Sequence, residues 1–152
     1  MNIEDVKKSF NFNENAYFYH ITGDGIGEEV LEEGLLVDGN NILDVDNIIF
    51  TTAIEITPDM VDELEDILDE ELHEDSFRGT SEMIILGCSK KGVNSIVTLE
   101  EQEKDGVKYD GIVFPNLIMG YFNIDKEFTP NELFDYGSDY FYEDHDSLNM
   151  TR

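Results

Sequence analysis

Residues 16–22 read Ala-Tyr-Phe-Tyr-His-Ile-Thr, and this stretch is the starting point for the fold. It is rich in aromatic residues and follows a polar lead-in, a pattern that predicts a β-strand. Side chains two residues apart in a strand share a face, so Phe18, His20 and Thr22 are expected on one side of it. Further apolar runs predict strands at 48–52, 82–88, 95–99, 111–115 and 118–124.

Helices are predicted around the first strands of the chain. Residues 23–27 read Gly-Asp-Gly-Ile-Gly, a turn in which Asp24 is the expected N-cap of a short helix that Gly34 ends. Thr57 followed by Pro58 predicts the start of a second helix, along which Val61, Leu64, Leu68 and Leu72 form one apolar stripe. Residues 3–10 are compatible with a further short helix.

The order of these elements predicts the fold class. Strands bunched after two early helices indicate an α+β protein rather than a doubly wound sheet. With 152 residues, the chain is expected to form one domain with two or three helices and a mostly antiparallel sheet. Within it, we assign 1–15 as a lead-in segment, 16–134 as the core and 135–152 as an acidic, aromatic tail.

The charge of the chain limits its possible partners. It has 9 Lys and Arg against 36 Asp and Glu, a formal net charge of −27. Nucleic-acid binding depends on clustered Lys and Arg that contact phosphates, so we expect no direct binding to DNA or RNA. The same charge argues against an anionic membrane surface. Attraction to a basic protein surface remains open.

Other features bear on the cellular setting. The single Cys88 allows no internal disulfide, no apolar run is long enough to span a membrane, and the first residues lack the pattern of a signal peptide. We therefore expect a cytoplasmic protein. No spacing of His, Asp or Glu specifies a metal, and no metal site is expected. The sequence does not indicate an oligomeric state.

Four segments, in order along the chain, resemble the ADP-ribosyltransferase-like domains. Residues 18–22 resemble their first core strand, which commonly reads aromatic-Tyr-His-x-Thr/Ser, and residues 26–35 resemble the helix that follows and ends in Glu-Gly-Leu. Residues 48–52 resemble the second motif strand, and 115–121, with Pro115 and Gly120-Tyr121, resemble a late strand. The resemblance covers roughly residues 16 to 125. It implies a split sheet of that family's type, with a nicotinamide-dinucleotide (NAD) cleft between the two motif strands.

The resemblance assigns roles to particular residues. In the family the histidine holds the nicotinamide-side ribose and the neighbouring hydroxyl supports it, which implies these roles for His20 and Thr22. An imidazole and a hydroxyl can each donate and accept hydrogen bonds, as a ribose diol requires. Thr51 is expected to line the same cleft. Family members often stack a tyrosine on the nicotinamide, and because Ile49 occupies that position, Tyr17, Tyr19 or Tyr121 is expected to substitute.

Catalysis is less well specified by the resemblance than binding. Transferring members usually place a glutamate on a late strand, but the equivalent position here falls near the apolar Ile118. Glu101 and Glu103 have the Glu-x-Glu spacing of arginine-modifying members and are the candidate catalytic residues. The chain is thus expected to be either a mono-ADP-ribosylating enzyme that uses NAD or a degenerate member that only binds.

A different function is suggested by the acidic run at 59–75. Ten of these seventeen residues are Asp or Glu and none is Lys or Arg. Like charges four residues apart destabilise a helix, so the absence of basic partners is costly. One interpretation is a solvated helix face. The alternative function is a small acidic inhibitor, or nucleic-acid mimic of the kind that mobile elements encode, which blocks a basic surface of a partner protein.

Overall fold

The computed structural model describes residues 1–38, 41–43, 50–51, 53–72, 81–90 and 111–134. Its helices are α1 (Ile3–Ser9), α2 (Ile26–Glu33), α3 (Pro58–Val61), α4 (Leu64–Glu71) and a 3₁₀ turn (Pro115–Leu117). Its strands are β1 (Asn15–Gly23), β2 (Leu35–Asp38), β3 (Asn41–Leu43), β4 (Phe50–Thr51), β5 (Ile54–Ile56), β6 (Ser81–Ser89), β7 (Gly111–Val113), β8 (Ile118–Phe122) and β9 (Phe128–Pro130).

The strands form two antiparallel sheets. The larger has the order β5-β1-β6-β8-β9, and the smaller has the order β4-β3-β2-β7. The predicted α+β class is therefore confirmed. The described residues contain four α-helices rather than the two or three expected, because α1 forms and because the acidic run is divided into α3 and α4 at Asp62 and Glu63.

Strands β1 and β6 form the centre of the larger sheet and pair over nine residues each. One face of this pair carries Phe18 and Ile84 and packs against α2 and against Leu35 and Val113 of the smaller sheet. The other face carries Tyr19, Met83 and Ile85 and packs against residues of α1 and α4. Each face therefore has its own apolar core.

The predicted boundaries of α2 and α3 are partly confirmed. Gly34 follows α2 with φ of 85°, and its amide donates to the carbonyl of Val30 at 2.8 Å, as expected for a terminating glycine. Thr57 precedes α3 and Pro58 begins it, which confirms that helix start. The expected N-cap at Asp24 is wrong. The N-cap is Gly25, which has φ of 85° and no side chain that could form a capping hydrogen bond.

The last part of the sheet also differs from the prediction. The strand expected at 118–124 ends at Phe122, and β9 follows it as an edge strand that the sequence did not predict. The Asn123 side chain explains the ending, because its oxygen accepts from the amides of Asp125 and Glu127 at 2.9 and 3.0 Å and closes a tight turn. Lys126 in this turn has φ of 64°.

The segment before β1 is packed against the domain. Val6 of α1 is fully buried, and the rings of Phe10 and Phe12 make edge contacts with Tyr17 at centroid distances of 4.5 and 5.2 Å. The ammonium group of Met1 donates to the carbonyl of Phe128 in β9 at 3.0 Å. The lead-in segment therefore contributes to the second apolar core.

Candidate functional site

The site predicted from the sequence lies at one end of the inner face of the larger sheet, the face covered by α2. Thr22 of β1 pairs with Glu82 of β6, and His20 pairs with Ile84, which in turn pairs with Tyr121 of β8. Because side chains alternate along a strand, His20, Thr22, Glu82 and Tyr121 share this face. We call these four residues the polar cluster.

Three of the four residues of the polar cluster are closed to solvent. His20 is 1% exposed, Thr22 is fully buried and Glu82 is 5% exposed, while Tyr121 is partly buried. Polar groups at such depth in a core cost free energy unless they are paired. A histidine, a hydroxyl and a carboxylate on one otherwise apolar face therefore identify this region as a functional candidate.

Glu82 is the member of the cluster that connects the sheet to α2. Its Oε1 accepts a hydrogen bond from the amide of Gly27 at 2.7 Å, and the amide of Gly25 also donates to it. These two donors belong to the N-terminal end of α2, whose amides have no partner within the helix. The Glu82 carboxylate therefore accepts hydrogen bonds from the N-terminal amides of α2, which is the role predicted for Asp24.

The surroundings of Glu82 favour its protonated form. Burial raises the pKa of this carboxyl above the ordinary value of 4.5, and the nearby charge and hydrogen bond of Asp24 raise it further. The amides of Gly27 and Gly25 act in the opposite direction, because they stabilise the ionised form. The pKa is raised on balance, so burial and the second carboxylate outweigh the two amides.

Gly27 is positioned where no larger residue fits. A Cβ added to it would lie 2.7 Å from Cγ of Tyr121 and 2.8 Å from Oε1 of Glu82. The backbone of α2 therefore contacts both the Tyr121 ring and the Glu82 carboxylate directly. This contact fixes the height of α2 above β6 and β8.

The remaining predicted site residues lie elsewhere. Tyr19 points to the opposite face of β1, where its hydroxyl donates to Oε2 of Glu71 at 3.0 Å. Burial and the Glu71 carboxylate raise the pKa of Tyr19 above its ordinary value. Thr51 belongs to β4, in the smaller sheet. Glu101 and Glu103 lie outside the described residues.

Metal ligands and the single cysteine are the other candidates for chemistry. Among the residues that the structure describes, no three His, Cys, Asp or Glu side chains come together as a group that could hold a metal ion. Cys88 is 4% exposed, and burial raises the pKa of its thiol to about 12. Such a thiol is protonated at neutral pH and is a core residue rather than a nucleophile.

Glu82 is the site residue that sequence reasoning missed. In the sequence it is only the first residue of the apolar run at 82–88. A glutamate that opens a buried strand was the available signal, because that residue must find partners once the strand is in the core. Its partners are 55 residues away in the sequence, at Gly27, and local patterns do not reveal them.

The outer surface of α3 and α4 is the second candidate site. Asp59, Asp62, Glu63, Glu65, Asp66, Asp69 and Glu70 are all exposed. Lys126, from the β8–β9 turn, reaches Glu65 at 3.1 Å and Asp69 at 2.9 Å. The acidic residues create a negative potential over this surface. In the described segments, no helix is long and apolar enough to cross a membrane.

Comparisons with known proteins give no relative from which to transfer a function: no family model, no curated protein and no solved structure matches the chain.

Proposed function

We propose that the polar cluster is the binding site for NAD, or for a nucleotide with the same ribose chemistry, in an ADP-ribosyltransferase-like protein. The observation that supports this proposal is the register of β1, β6 and β8. It brings Tyr121 to the same face as His20 and Thr22 although the residues are about a hundred positions apart. The resemblance had implicated all three from their local sequences.

The chemistry of the cluster suits a ribose and a flat ring. His20 and Thr22 both offer donors and acceptors for vicinal hydroxyls, and Tyr121 offers an aromatic surface for stacking. Since His20 and Thr22 are buried, the ligand would need the inner face to open before it could contact them. Binding would therefore include the free-energy cost of opening, which lowers the apparent affinity.

The direct test is isothermal titration calorimetry with NAD, combined with thermal melting. A ligand that binds only the native state raises its melting temperature. We expect the parent to bind and His20→Ala to lose binding while it still melts cooperatively. Tyr19→Phe should bind as the parent does, because its ring lies on the opposite face of β1. An absence of NAD binding in the parent would end the proposal.

Enzymatic activity is a separate question from binding. If the protein transfers ADP-ribose, radiolabel from NAD should appear on a protein target, and Glu103→Gln should remove the label without loss of NAD binding. Labelling retained in both Glu101→Gln and Glu103→Gln would exclude these residues as catalytic. Binding without any labelling would favour a degenerate member that acts as a binder.

A second candidate function is binding to a basic surface of a partner protein through the exposed face of α3 and α4. The observation that favours it is the exposure of seven carboxylates on two adjoining short helices and the two residues between them. Lys126 shows how a cation fits this surface, since its ammonium group contacts carboxylates from successive turns of α4. A basic groove that normally holds nucleic acid would present cations in a similar way.

This second function is tested with two matched sets of four neutralised carboxylates. The first set changes Asp62, Glu63, Asp66 and Glu70 to amides and leaves the partners of Lys126 in place. The control set changes Glu28, Glu29, Glu32 and Glu33, which are exposed on α2. Both sets change the net charge equally.

We expect the parent and the control set to capture a basic partner that is released by salt, because exposed charges are screened beyond about 8 Å at physiological ionic strength. The first set should lose the partner and melt higher, since repulsion along α3 and α4 is relieved. Equal loss in both sets would mean that net charge alone attracts the partner, and retention in both would rule out the surface.

A further inference from the structure

Glu82 brings a carboxylate into the polar cluster. It is 5% exposed and lies directly opposite Thr22 on the paired strand. Its Oε1 accepts from the amide of Gly27 at 2.7 Å, an arrangement that favours the ionised carboxylate. A buried charge is costly unless an opposite charge lies close to it. The groups that could balance Glu82 therefore indicate what kind of ligand the cluster would accept.

The start of α2 balances only part of this charge. The N-terminal end of a helix corresponds to about half a positive elementary charge, whereas an ionised carboxylate carries a full negative one. The raised pKa of Glu82, caused mainly by burial, is consistent with incomplete balance. A ligand with a positive charge would complete the balance and would itself stabilise the ionised carboxylate.

The basic residues of the described segments lie away from Glu82. Lys7 and Lys8 belong to α1, which packs on the opposite face of the larger sheet. Lys90 follows the other end of β6, and Lys126 contacts carboxylates of α4. Within the part of the chain that the structure describes, no Lys or Arg side chain therefore neutralises Glu82.

The ring of Tyr121 lies beside the same carboxylate. A Cβ built on Gly27 would lie 2.7 Å from Cγ of Tyr121 and 2.8 Å from Oε1 of Glu82, so both groups border one point at the start of α2. Aromatic faces attract cations, and flat rings can stack on them. A flat aromatic cation is therefore the ligand that would use both the ring and the carboxylate.

We propose that Glu82 makes the polar cluster selective for a flat aromatic cation. This inference rests on the proposed function, because it states which part of NAD the cluster would recognise. The nicotinamide ring of oxidised NAD is positively charged, and reduction to NADH removes that charge. Stacked on Tyr121, the oxidised ring would place its charge beside Glu82, so NAD would be preferred to NADH. The role concerns ligand selection and requires no transfer of ADP-ribose.

Two pairs of ligands differ in this charge and in little else. 1-Methylnicotinamide is a cation, nicotinamide is its neutral counterpart, and neither carries ribose or phosphate. NAD and NADH form the second pair. We would follow the NMR chemical shift of the Gly27 amide during each titration at neutral pH, because this amide donates to Glu82 and reports binding at the cluster. The parent should bind the cationic member of each pair about tenfold more tightly.

Two variants test whether the Glu82 carboxylate causes the preference. Glu82→Gln keeps an acceptor oxygen for the amide of Gly27 but has no charge. It should lose the preference within each pair and bind the neutral members at least as tightly as the parent does. Glu71→Gln is the matched control, because it removes the same charge on the opposite side of β1, where Glu71 accepts from Tyr19. It should discriminate as the parent does.

Several outcomes would overturn the selectivity. Equal affinities within each pair in the parent would do so without any variant, so the test does not depend on the folding of Glu82→Gln. The same preference in Glu82→Gln and the parent would mean that another group supplies it. Loss of the preference in both Glu82→Gln and Glu71→Gln would mean that net charge supplies it.

The two ligand pairs also separate this inference from the proposed function. If 1-methylnicotinamide is preferred to nicotinamide as expected but NAD does not bind, the selectivity stands and the proposed function is wrong. If NAD and NADH bind equally and both shift the Gly27 amide, the proposed function stands and the selectivity is wrong. If no member of either pair binds, both are wrong.

Discussion

The two faces of the β1–β6 pair are built from the same two strands but differ in chemistry. The outer face, which packs against α1 and α4, carries Tyr17, Tyr19, Met83 and Ile85, and its buried polar residues Asn15 and Ser89 lie at the end of the strand pair opposite the polar cluster. The inner face begins with apolar residues around Phe18 and ends in the polar cluster. Buried apolar area stabilises a fold, whereas buried polar groups at best recover the cost of their desolvation. We therefore expect the outer face and the apolar half of the inner face to contribute most of the stability of the fold.

The largest expected effect is on the outer face. Ile85→Ala removes a fully buried side chain from the middle of β6, and we expect a loss of about 2–5 kcal/mol in the free energy of unfolding. Thr22→Val, on the inner face, keeps the side-chain volume and removes only a hydroxyl, so its cost should be about 0.5–1.5 kcal/mol.

Chemical denaturation measures both changes, and titration with NAD complements it. Thr22→Val should weaken NAD binding despite its small effect on stability. For Ile85→Ala, NAD binding should persist at temperatures where that variant remains folded. If Thr22→Val is as destabilising as Ile85→Ala, then Thr22 is a structural core residue and the distinction between the two faces fails.

The sequence predicted the local features of this comparison and not its long-range contacts. Alternation along β1 placed His20 and Thr22 on one face, and Gly34 and Pro58 marked helix boundaries correctly. These signals depend on neighbours within a few residues. Within the acidic run at 59–75, the predicted apolar stripe is confirmed at Leu64 and Leu68, which are buried. The pattern did not indicate that this run divides into two helices.

The features that the sequence did not predict depend on partners far along the chain. Asn131 is an example: its side-chain amide donates to the carbonyls of Pro115 and Ile118 at 2.9 and 3.0 Å and ties the chain after β9 to the start of β8. Glu82 is another, because its role is defined by Gly27. A polar residue in a local pattern has many possible partners, and only the folded chain selects one.

An effect smaller than that of Ile85→Ala is expected at two glycines at the start of α2, and it tests how closely the inner face is packed. Gly27→Ala places a Cβ against the Tyr121 ring and the Glu82 carboxylate, at distances that require the helix to shift. We expect it to lower the free energy of unfolding by about 1–3 kcal/mol, as overpacking does. Gly25→Ala is the matched control, since a Cβ there meets nothing within 4 Å but the residue has φ of 85°. It should cost about 1–2 kcal/mol through the backbone alone.

The two glycine variants should differ more in exchange than in stability. Gly27→Ala separates α2 from Glu82, so the amide of residue 27 should lose protection at every pH. Gly25→Ala should retain that protection, because strain at residue 25 does not displace Tyr121 or Glu82. The free energy of unfolding is measured by denaturation, and the protection of the residue 27 amide by hydrogen exchange on the same samples. If residue 27 stays protected in Gly27→Ala, the sheet accommodates the extra carbon, and the inner face is less tightly closed over the polar cluster than its contacts indicate.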